Sequence, residues 1–523
     1  MPDSLAVPGG QLTIEELASV ARHGRQVGEM PEETRTRMQR SRDWLDEVLR
    51  DGQRTIYGVN TGFGMFAHTP VGAKDMRRLS RNCVTSCSAG VGDPLADEVI
   101  RGMMLIRLNV LAQGLSAARP EIAMTLAGML NAGVTPYVPE KGSLGASGDL
   151  APMSHIALVL SRGVDPDDNA SGRAWLDSQL LSGEDAMARA GLERLVLEPK
   201  EGVSLTNGTD FMVASGALLV HDAKQLHEHA MIAAAMSIEA VRARTQAFHP
   251  AYHEATRQPG QIAVATRIRE LLQGSRLADG DPARVQDAYS LRCIPQVLGP
   301  ALDAVAHVEA SVTRAMNAVT DNPLVVESSD AGGYEVLSGG NFHGEGPAFW
   351  LDHLAVVMTS AANIAERRIF RLLDPKLNEG LPGMLVAESG VDTGLMVAQY
   401  TAAALVADCK VLAHPDSVDS IPTSADQEDY VSMGANGARH AREVLDNVRR
   451  VIAIELYVAA QALSLRDPSG TSMSPATAAA QSVIRDLVPV LEHDRPISDD
   501  MEAIADLVAS GAIVKAVERS LGH

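Results

Sequence analysis

The sequence predicts an all-α fold whose core is a bundle of long helices, and three observations support this prediction. Residues 208–244 are nearly free of helix breakers, rich in Ala, Leu, Met and His, and long enough for about ten turns of helix. Further long helical patterns occupy residues 298–318, 346–372, 394–412 and 433–465. The clear strand signal is one small hairpin, near residues 324–326 and 334–337. Long apolar helices joined by short Gly/Pro loops pack side by side, so we expect a helical bundle core.

Shorter helices and loops are predicted before the bundle. Thr13 and Glu16 form a capping box before a first helix, and Pro31 begins a second that ends near residue 50. A glycine-rich loop follows at residues 52–69. Apolar residues at 3–4 spacing then predict helices at residues 72–89, 94–114, 119–132 and 152–160. Residues 164–203 read as a polar excursion over the surface.

The pattern divides the chain into three parts. Residues 1–203 form an N-terminal helical part that carries Tyr57 and a loop at 142–150. Residues 204–470 form the central long-helix bundle, and residues 471–523 form C-terminal helices, near 475–491 and 498–520.

Composition excludes several classes of protein. The 523 residues are 46% hydrophobic, which is enough for a large core. The formal net charge of −21 argues against nucleic-acid and acidic-membrane partners. The N-terminus lacks the charged and apolar regions of a signal peptide, and no apolar stretch reaches the length of a membrane span. We therefore expect a cytoplasmic protein.

The cysteines give no sign of a disulfide framework or a metal site. Cys293 and Cys409 stand alone, whereas Cys83 and Cys87 lie four residues apart on one predicted helix face. Core packing is the favoured interpretation of that pair, because no further ligand residues lie nearby. We expect reduced cysteines and no bound metal.

The loop at residues 142–150, Gly-Ser-Leu-Gly-Ala-Ser-Gly-Asp-Leu, contains the sequence Ala146-Ser147-Gly148. Its glycines allow positive φ angles and close backbone approach. If the Gly148 nitrogen reaches the Ala146 carbonyl carbon, the backbone closes a five-membered ring, and loss of water across Ser147 leaves an exocyclic methylidene. Such a ring is an electrophile, which no standard side chain supplies. An isolated Ala-Ser-Gly is more often an ordinary loop, so this interpretation depends on the rest of the sequence.

Six further segments supply that context. They are residues 57–64 (Tyr-Gly-Val-Asn-Thr-Gly-Phe-Gly), 205–209 (Leu-Thr-Asn-Gly-Thr), 286–292 (Gln-Asp-Ala-Tyr-Ser-Leu-Arg), 320–323 (Thr-Asp-Asn-Pro), 340–344 (Gly-Asn-Phe-His-Gly) and 424–430 (Ser-Ala-Asp-Gln-Glu-Asp-Tyr). Together with the 142–150 loop they resemble, in the same order, segments of the aromatic amino acid ammonia-lyase and aminomutase family. The resemblance is strongest to its histidine ammonia-lyases and covers most of residues 57–466.

The resemblance implies a fold, a prosthetic group and an assembly. The fold is the helical bundle of the fumarase/aspartase-like superfamily. The prosthetic group is methylidene-imidazolone (MIO), formed autocatalytically from Ala146, Ser147 and Gly148, so no external cofactor is expected. The family assembles as homotetramers in which each active site draws on more than one chain. A homotetramer acting on a small amino acid is therefore expected.

The chemistry requires a base as well as an electrophile, because the β-hydrogen of an amino acid is barely acidic. By resemblance, Tyr57 corresponds to the catalytic base and Tyr289 to a tyrosine near the electrophile. A phenol has a pKa of about 10, so the site has to favour phenolate through donors or cations.

Other residues match family positions that bind the substrate. Arg292, three residues after Tyr289, can bind a carboxylate with two hydrogen bonds. The remaining matches are Asn207 and Gln286 near the amine and the ring, with Asn322 and Phe342 in the wall. Asp149 either assists the cyclisation or caps a helix.

Three positions bear on the choice of substrate. Glu428 resembles the glutamate that histidine ammonia-lyases place near the substrate ring, and a carboxylate suits imidazole, which donates N–H. Ser86 and Cys87 stand where those enzymes read Ser-His, and Tyr430 stands where they usually read His. Ser86 and Cys87 are expected to line the pocket for the substrate ring. Cys87 therefore replaces a histidine that would contact the ring.

The leading hypothesis is elimination of ammonia from L-histidine, or a close analogue, to give the trans-α,β-unsaturated acid. A tyrosine or phenylalanine ammonia-lyase and a 2,3-aminomutase of the same family remain alternatives. Two further classes are a helical scaffold without catalysis and a fumarase-type lyase without a built-in electrophile.

Overall fold

The computed structural model describes residues 4–7, 9–165, 167–328 and 333–522. The structure is 58% helix and 8% strand, so the predicted all-α class is confirmed. The helices in the described residues are α1 (Ile14–His23), α2 (Glu32–Asp51), α3 (Met76–Cys87), α4 (Asp97–Leu111), α5 (Pro120–Ala132), α6 (Leu150–Leu160), α7 (Gly183–Arg189), α8 (Glu201–Thr206), α9 (Asp210–Ala240), α10 (Pro250–Glu254), α11 (Pro259–Leu271), α12 (Tyr289–Arg292), α13 (Ile294–Met316), α14 (Glu345–Leu373), α15 (Met396–Leu412), α16 (Gly434–Arg466), α17 (Pro475–Leu487), α18 (Ser498–Ser510) and α19 (Ala512–Leu521).

The strands are short. They are β1 (Val91–Pro94), β2 (Thr135–Pro136), β3 (Pro139–Lys141), β4 (Ser161–Arg162), β5 (Arg173–Leu176), β6 (Gln179–Ser182), β7 (Leu195–Val196), β8 (Leu324–Ser328) and β9 (Gly333–Leu337). The predicted hairpin is β8 with β9, paired antiparallel.

The chain forms two compact units. Unit 1 contains Met1–His221, Glu309–Asp352 and Pro415–Arg439, and unit 2 contains Asp222–Val308, His353–His414 and His440–His523. All the family-like segments except residues 286–292 belong to unit 1. The division at residues 203 and 470 inferred from the sequence stays a prediction.

Unit 1 is organised around α4, whose residues from 102 to 111 are all buried. Helix α4 packs against α1 and α5. The capping box of α1 is present, because Thr13 accepts from the Glu16 amide and Glu16 accepts from the Thr13 amide. Helix α3 packs against α6 and α8. This packing brings the last turn of α3, residues 83–87, beside the end of the 142–150 loop.

Unit 2 has a buried helical core. Helix α16 is fully buried from residue 451 to residue 463, as expected of a bundle helix that is apolar on every side. Glu455 is the charged exception, and Arg368 satisfies it with two hydrogen bonds of 2.6 and 2.7 Å. A buried pair of this kind has to keep both partners, since either charge alone would be costly.

Two predictions about secondary structure were wrong. Residues 164–203, predicted as a polar excursion, contain β5, β6, α7, β7 and the start of α8. Asp177 and Ser178 both adopt positive φ angles and close a two-residue hairpin between β5 and β6. The helix predicted at 498–520 is two helices, since Gly511 has a φ of 68° and caps the first. Helices α10 and α11 were not predicted.

The sequence was expected to contain no apolar stretch of membrane-span length, but helix α14 is long and apolar enough to cross a membrane by length and composition. However, 61% of its most apolar window is buried inside the protein, which is typical of a core helix.

Candidate active site

A cavity of about 820 Å³ lies in unit 1, and we call it the unit 1 cavity. Nine of the residues predicted for the site line it: Tyr57, Ser86, Cys87, Ala146, Ser147, Asn207, Asn322, Phe342 and Glu428. They come from seven separate stretches of sequence. The fold therefore brings together most of the residues that the motifs singled out.

The 142–150 loop is held from several sides. Asn207 donates through Nδ2 to the Ser147 carbonyl oxygen at 2.7 Å. The Gly344 amide and the Ser432 hydroxyl both donate to the Gly145 carbonyl oxygen, at 3.0 and 3.2 Å. Ala146 is buried against Val431 and Met433. These contacts fix the loop backbone tightly in the cavity wall.

Gly148 lies where no other residue fits. Its φ is 72°, and a Cβ at this position would overlap the carbonyl oxygen of Gly208. The next amide, that of Asp149, donates to the same oxygen at 2.6 Å. Only glycine therefore fits at the position whose nitrogen a cyclising Ala-Ser-Gly segment has to use.

Asp149 is fully buried and connects the loop to α9. Its Oδ2 accepts from the amides of Phe211 and Met212 at 2.9 and 3.1 Å, and its Oδ1 accepts from Ser143 at 3.0 Å. It therefore caps the first turn of α9, not that of its own helix α6. Burial raises the pKa of Asp149 to about 7, opposed by the Met212 amide.

We predict that Asp149→Asn changes how stability depends on pH. Because the folded pKa lies above the value of 3.8 for an ordinary aspartate, the folded state holds a proton that the unfolded state has lost between pH 4 and pH 7. Wild-type stability should therefore fall as pH rises through this window, and the variant should lack this component. Urea unfolding at several pH values measures it, with the exposed Asp93→Asn as control. Identical pH profiles for wild type and Asp149→Asn would contradict the prediction.

Glu428 reaches the centre of the loop. Its Oε1 accepts from the Ser147 hydroxyl at 2.6 Å, and its Oε2 accepts from the Thr423 hydroxyl at 2.9 Å. Thr423 was not predicted, although it immediately precedes the 424–430 segment. A carboxylate is thus fixed beside Ser147 inside the cavity.

Tyr57 lies on the same cavity wall. Its hydroxyl oxygen accepts from the Gly64 amide at 3.1 Å, and its ring meets Phe63 edge-on. Burial raises the pKa of Tyr57, the Gly64 amide lowers it, and Cys83 and Glu428 raise it further. The expectation that the site favours phenolate is therefore not met by the described residues of unit 1.

Asn207 offers an unused acceptor. The residue is 4% exposed, and its Oδ1 has no hydrogen-bond partner among the described residues. Its backbone is held by Arg107, which donates to the Asn207 carbonyl at 2.9 Å and pairs with Asp210. A buried acceptor without a donor costs free energy, so this atom is suited to a ligand that donates N–H.

The cavity mouth has an aromatic pair that the sequence did not reveal. His343 stacks on Tyr430 with ring centroids 5.8 Å apart, and both line the cavity. The Tyr430 hydroxyl lies 3.4 Å from Glu345. His343 directly follows Phe342 in the 340–344 segment, which is the one signal that pointed to it. Tyr430 thus stands in the cavity wall, where its replacement of histidine bears on the ligand.

Four predicted residues are absent from the cavity lining: Gly148, Gln286, Tyr289 and Arg292. Gln286, Tyr289 and Arg292 belong to unit 2, and Tyr289 is 70% exposed. Arg292 lies over the Tyr289 ring at 4.6 Å, so the predicted placement of both on one helical turn is correct. Their roles stay predictions.

No group of three or more His, Cys, Asp or Glu side chains in the described ranges is arranged to hold a metal ion. The cavity combines the hydrogen-bonded 142–150 loop, a phenol and a carboxylate. A helical fold with these groups around an Ala-Ser-Gly loop is the arrangement that the resemblance to the ammonia-lyase family predicts.

Comparison with known proteins agrees with this class. The family model described as aromatic amino acid lyase matches residues 12–486. The histidine ammonia-lyase of Symbiobacterium thermophilum is 47% identical over 515 residues, covering 98% of both chains. The chain belongs to the aromatic amino acid lyase family, and the predicted family and enzyme class are confirmed.

Two solved structures are also similar. The crystal structure of histidine ammonia-lyase from Trypanosoma cruzi has a TM-score of 0.89 and 39% identity, covering 98% of this chain and 95% of that one. Tyrosine aminomutase from Streptomyces globisporus has a TM-score of 0.91 and 37% identity, covering 99% of each chain. Family membership implies the MIO group.

Proposed function

We propose that this chain eliminates ammonia from L-histidine, or a close analogue, to give the trans-α,β-unsaturated acid, which is urocanate for histidine. The observation that carries the proposal is Glu428, a carboxylate held in the cavity wall by Thr423 and Ser147. A phenyl ring has no N–H for this acceptor, whereas imidazole has one. The full-length identity to histidine ammonia-lyases supports the same substrate.

The MIO group is formed, in this proposal, from Ala146, Ser147 and Gly148, and no external cofactor takes part. The fit rests on the clamped loop and on Gly148, where any Cβ would overlap the Gly208 carbonyl oxygen. When formed, the group supplies an electrophile that turns the amine into a better leaving group. Asp149 positions the loop through its own amide and side chain, and this is the basis for its assistance to cyclisation.

The remaining residues bind the substrate and move its proton. The free Oδ1 of Asn207 accepts from the substrate ammonium. Glu428 accepts from the imidazole N–H, while Asn322 and Phe342 close the wall. Tyr57, as phenolate, removes the β-proton. Because burial raises the pKa of Tyr57, unit 1 of the same chain does not itself favour phenolate. The donors or cations that favour phenolate come from elsewhere in the assembly or from the substrate.

We also propose that the protein is a homotetramer whose active sites combine residues of more than one chain. Tyr289 and Arg292 are suited to this role because they present an aromatic ring and a guanidinium at the surface of unit 2. Large hydrophobic side chains are exposed along two long helices of unit 2: Val356, Phe370, Val397, Tyr400 and Val411. Such surfaces are typical of permanent interfaces. Gln286 and Arg292 would then bind the amine and the carboxylate.

The proposed cell compartment is the cytoplasm, with four reduced cysteines. The three-part organisation, with cuts after residues 203 and 470, is retained as a proposal about the sequence.

The test is a substrate panel. Purified protein is mixed separately with L-histidine, L-tyrosine and L-phenylalanine, and ammonia and the ultraviolet absorbance of the product are followed. We expect release of ammonia with histidine and little with the other two. Turnover of the phenyl substrates alone would show that the Cys87 side of the cavity selects the ring and that Glu428 does not.

Glu428→Gln should lower kcat/KM for histidine by about 10- to 100-fold, because a charge-assisted hydrogen bond becomes a neutral one. The ratio of histidine to tyrosine activity should fall with it. The exposed Glu335→Gln is the matched control. An unchanged substrate ratio in Glu428→Gln would remove Glu428 from ring recognition.

A 2,3-aminomutase is the second candidate, favoured by the likeness to tyrosine aminomutase. It would return the amine to the β-carbon, so mass spectrometry of the reaction mixture would detect a β-amino acid. Retention of the product by slow loop opening would set the balance between the two reactions.

A further inference from the structure

Two cysteines lie together in the wall of the unit 1 cavity. Cys83 and Cys87 occupy one face of the last turn of α3, and both line the cavity. Residues four apart in a helix have Cα atoms about 6.2 Å apart, which falls within the Cα range of disulfides. Their Cβ atoms are about 5–6 Å apart, beyond the roughly 3.5–4.5 Å of a disulfide, so the turn has to tighten before a bond can form. The thiols are close enough for each to be the largest influence on the pKa of the other. The pair is therefore a candidate for a reaction between the two sulfurs.

The end of the helix allows the small rearrangement that a bond needs. Cys87 is the last residue of α3, and Ser88 has already left the helix with φ −75° and ψ 61°. A turn at a helix end has no following turn to hold it, so it deforms at lower cost than the helix interior.

The environments of the two thiols differ. Cys87 is half-buried, and its interaction with Cys83 lowers its pKa to about 7, with the Ser86 and Ser154 hydroxyls lowering it and burial and Glu428 raising it. Cys83 is buried, its sulfur lies 3.8 Å from the Thr206 hydroxyl, and its pKa is raised well above 9 by Cys87 and by burial. Cys87 thus resembles an attacking thiolate, and Cys83 a resolving thiol.

We propose that Cys83 and Cys87 form a reversible disulfide when a peroxide oxidises them, and that this disulfide inactivates the active site. The Cys87 thiolate attacks one peroxide oxygen, the O–O bond breaks and hydroxide leaves, which gives a sulfenic acid. The Cys83 thiol then attacks that sulfur, displacing its oxygen as water. The two thiols lose two electrons and two protons in total, and hydrogen peroxide is reduced to water.

Activity should fall because the disulfide moves the cavity wall. Ser86 and Cys87 belong to the turn that must tighten, and Cys83 would leave its place beside Thr206. A misplacement of about 1 Å in a site costs on the order of a hundredfold in rate, which is the loss we expect at full oxidation. This consequence rests on the proposed function, whereas formation of the disulfide does not.

The experiment treats the full-length protein with hydrogen peroxide and then alkylates it under denaturing conditions. The four free thiols should fall to two, and peptide mapping should find one disulfide joining Cys83 to Cys87. Amino acid turnover should fall in step and return with dithiothreitol. Cys293→Ser, which removes a thiol outside the cavity lining, should behave like wild type relative to its own untreated rate.

The variants Cys83→Ser and Cys87→Ser provide the decisive comparison, each normalised to its own untreated activity. Neither should form the disulfide, and neither should show inactivation that dithiothreitol reverses. Peptide mapping of the wild type gives the answer even where a variant does not fold. The proposal is overturned if oxidised wild type retains free Cys83 and Cys87, or if a disulfide forms without loss of turnover in a protein that is active beforehand. A protein inactive before oxidation would count against the proposed function alone.

Discussion

Ser147→Ala should fold normally and lose at least about a thousandfold in turnover, on the scale of losses seen when a covalent catalytic group is removed. The hydroxyl is the group that must leave to form the methylidene, and alanine has none. The fold should survive because the contacts that clamp the loop use backbone atoms of residues 145 and 147. The variant also loses the hydrogen bond from the Ser147 hydroxyl to Glu428, but Glu428 keeps its hydrogen bond from Thr423.

The measurement is the initial rate of ammonia release at saturating substrate, with circular dichroism to verify the fold. The exposed Ser510→Ala, which removes a hydroxyl from the end of α18, is the control and should keep the wild-type rate. Wild-type turnover in Ser147→Ala would exclude the loop as the source of the electrophile.

Tyr57→Phe should keep the fold and lower turnover by about 10²- to 10⁴-fold, the range expected when a general base is removed. Only the phenol oxygen is lost, and the edge-on packing on Phe63 is retained. Because the pKa of Tyr57 is raised by burial, wild-type kcat/KM should rise with pH into the alkaline range as phenolate forms. The variant should lack this rise.

A pH profile of kcat/KM for the two proteins gives the result. Tyr334→Phe serves as control. Tyr334, in the β8–β9 hairpin, packs on Trp44 of α2 and does not line the cavity. A Tyr57→Phe enzyme with near-normal rates and an unchanged alkaline limb would assign the base to another residue.

Much of the site could be predicted from sequence because its chemistry depends on short segments. Ala146, Ser147 and Gly148 are contiguous in the sequence. The positive φ of Gly148 could be expected because glycine adopts such angles readily. Glu428 and Tyr57 were found within motifs in the same way. The long helices followed from apolar patterns that no breaker interrupts, and α9 and α16 match them to within a few residues.

What could not be predicted depends on pairing between distant segments. The capping of α9 by Asp149 joins residues 62 and 63 positions apart, and the stack of His343 on Tyr430 joins residues of two separate motifs. The β5–β6 hairpin was missed because its turn is Asp-Ser and lacks the usual glycine. Cys83 is buried, as core packing predicts, but the sequence could not show that Cys83 and Cys87 both line the cavity. Tertiary contacts decided each of these cases.

The most direct test of the account is the intact mass of the denatured wild-type protein, compared with the mass of Ser147→Ala. We predict that the wild type is lighter than its sequence by two water molecules and that the deficit maps to the peptide containing residues 146–148. Ser147→Ala should lack the water lost across residue 147. A wild-type protein that releases ammonia from histidine at its full sequence mass would contradict the central claim that the chain builds its own electrophile.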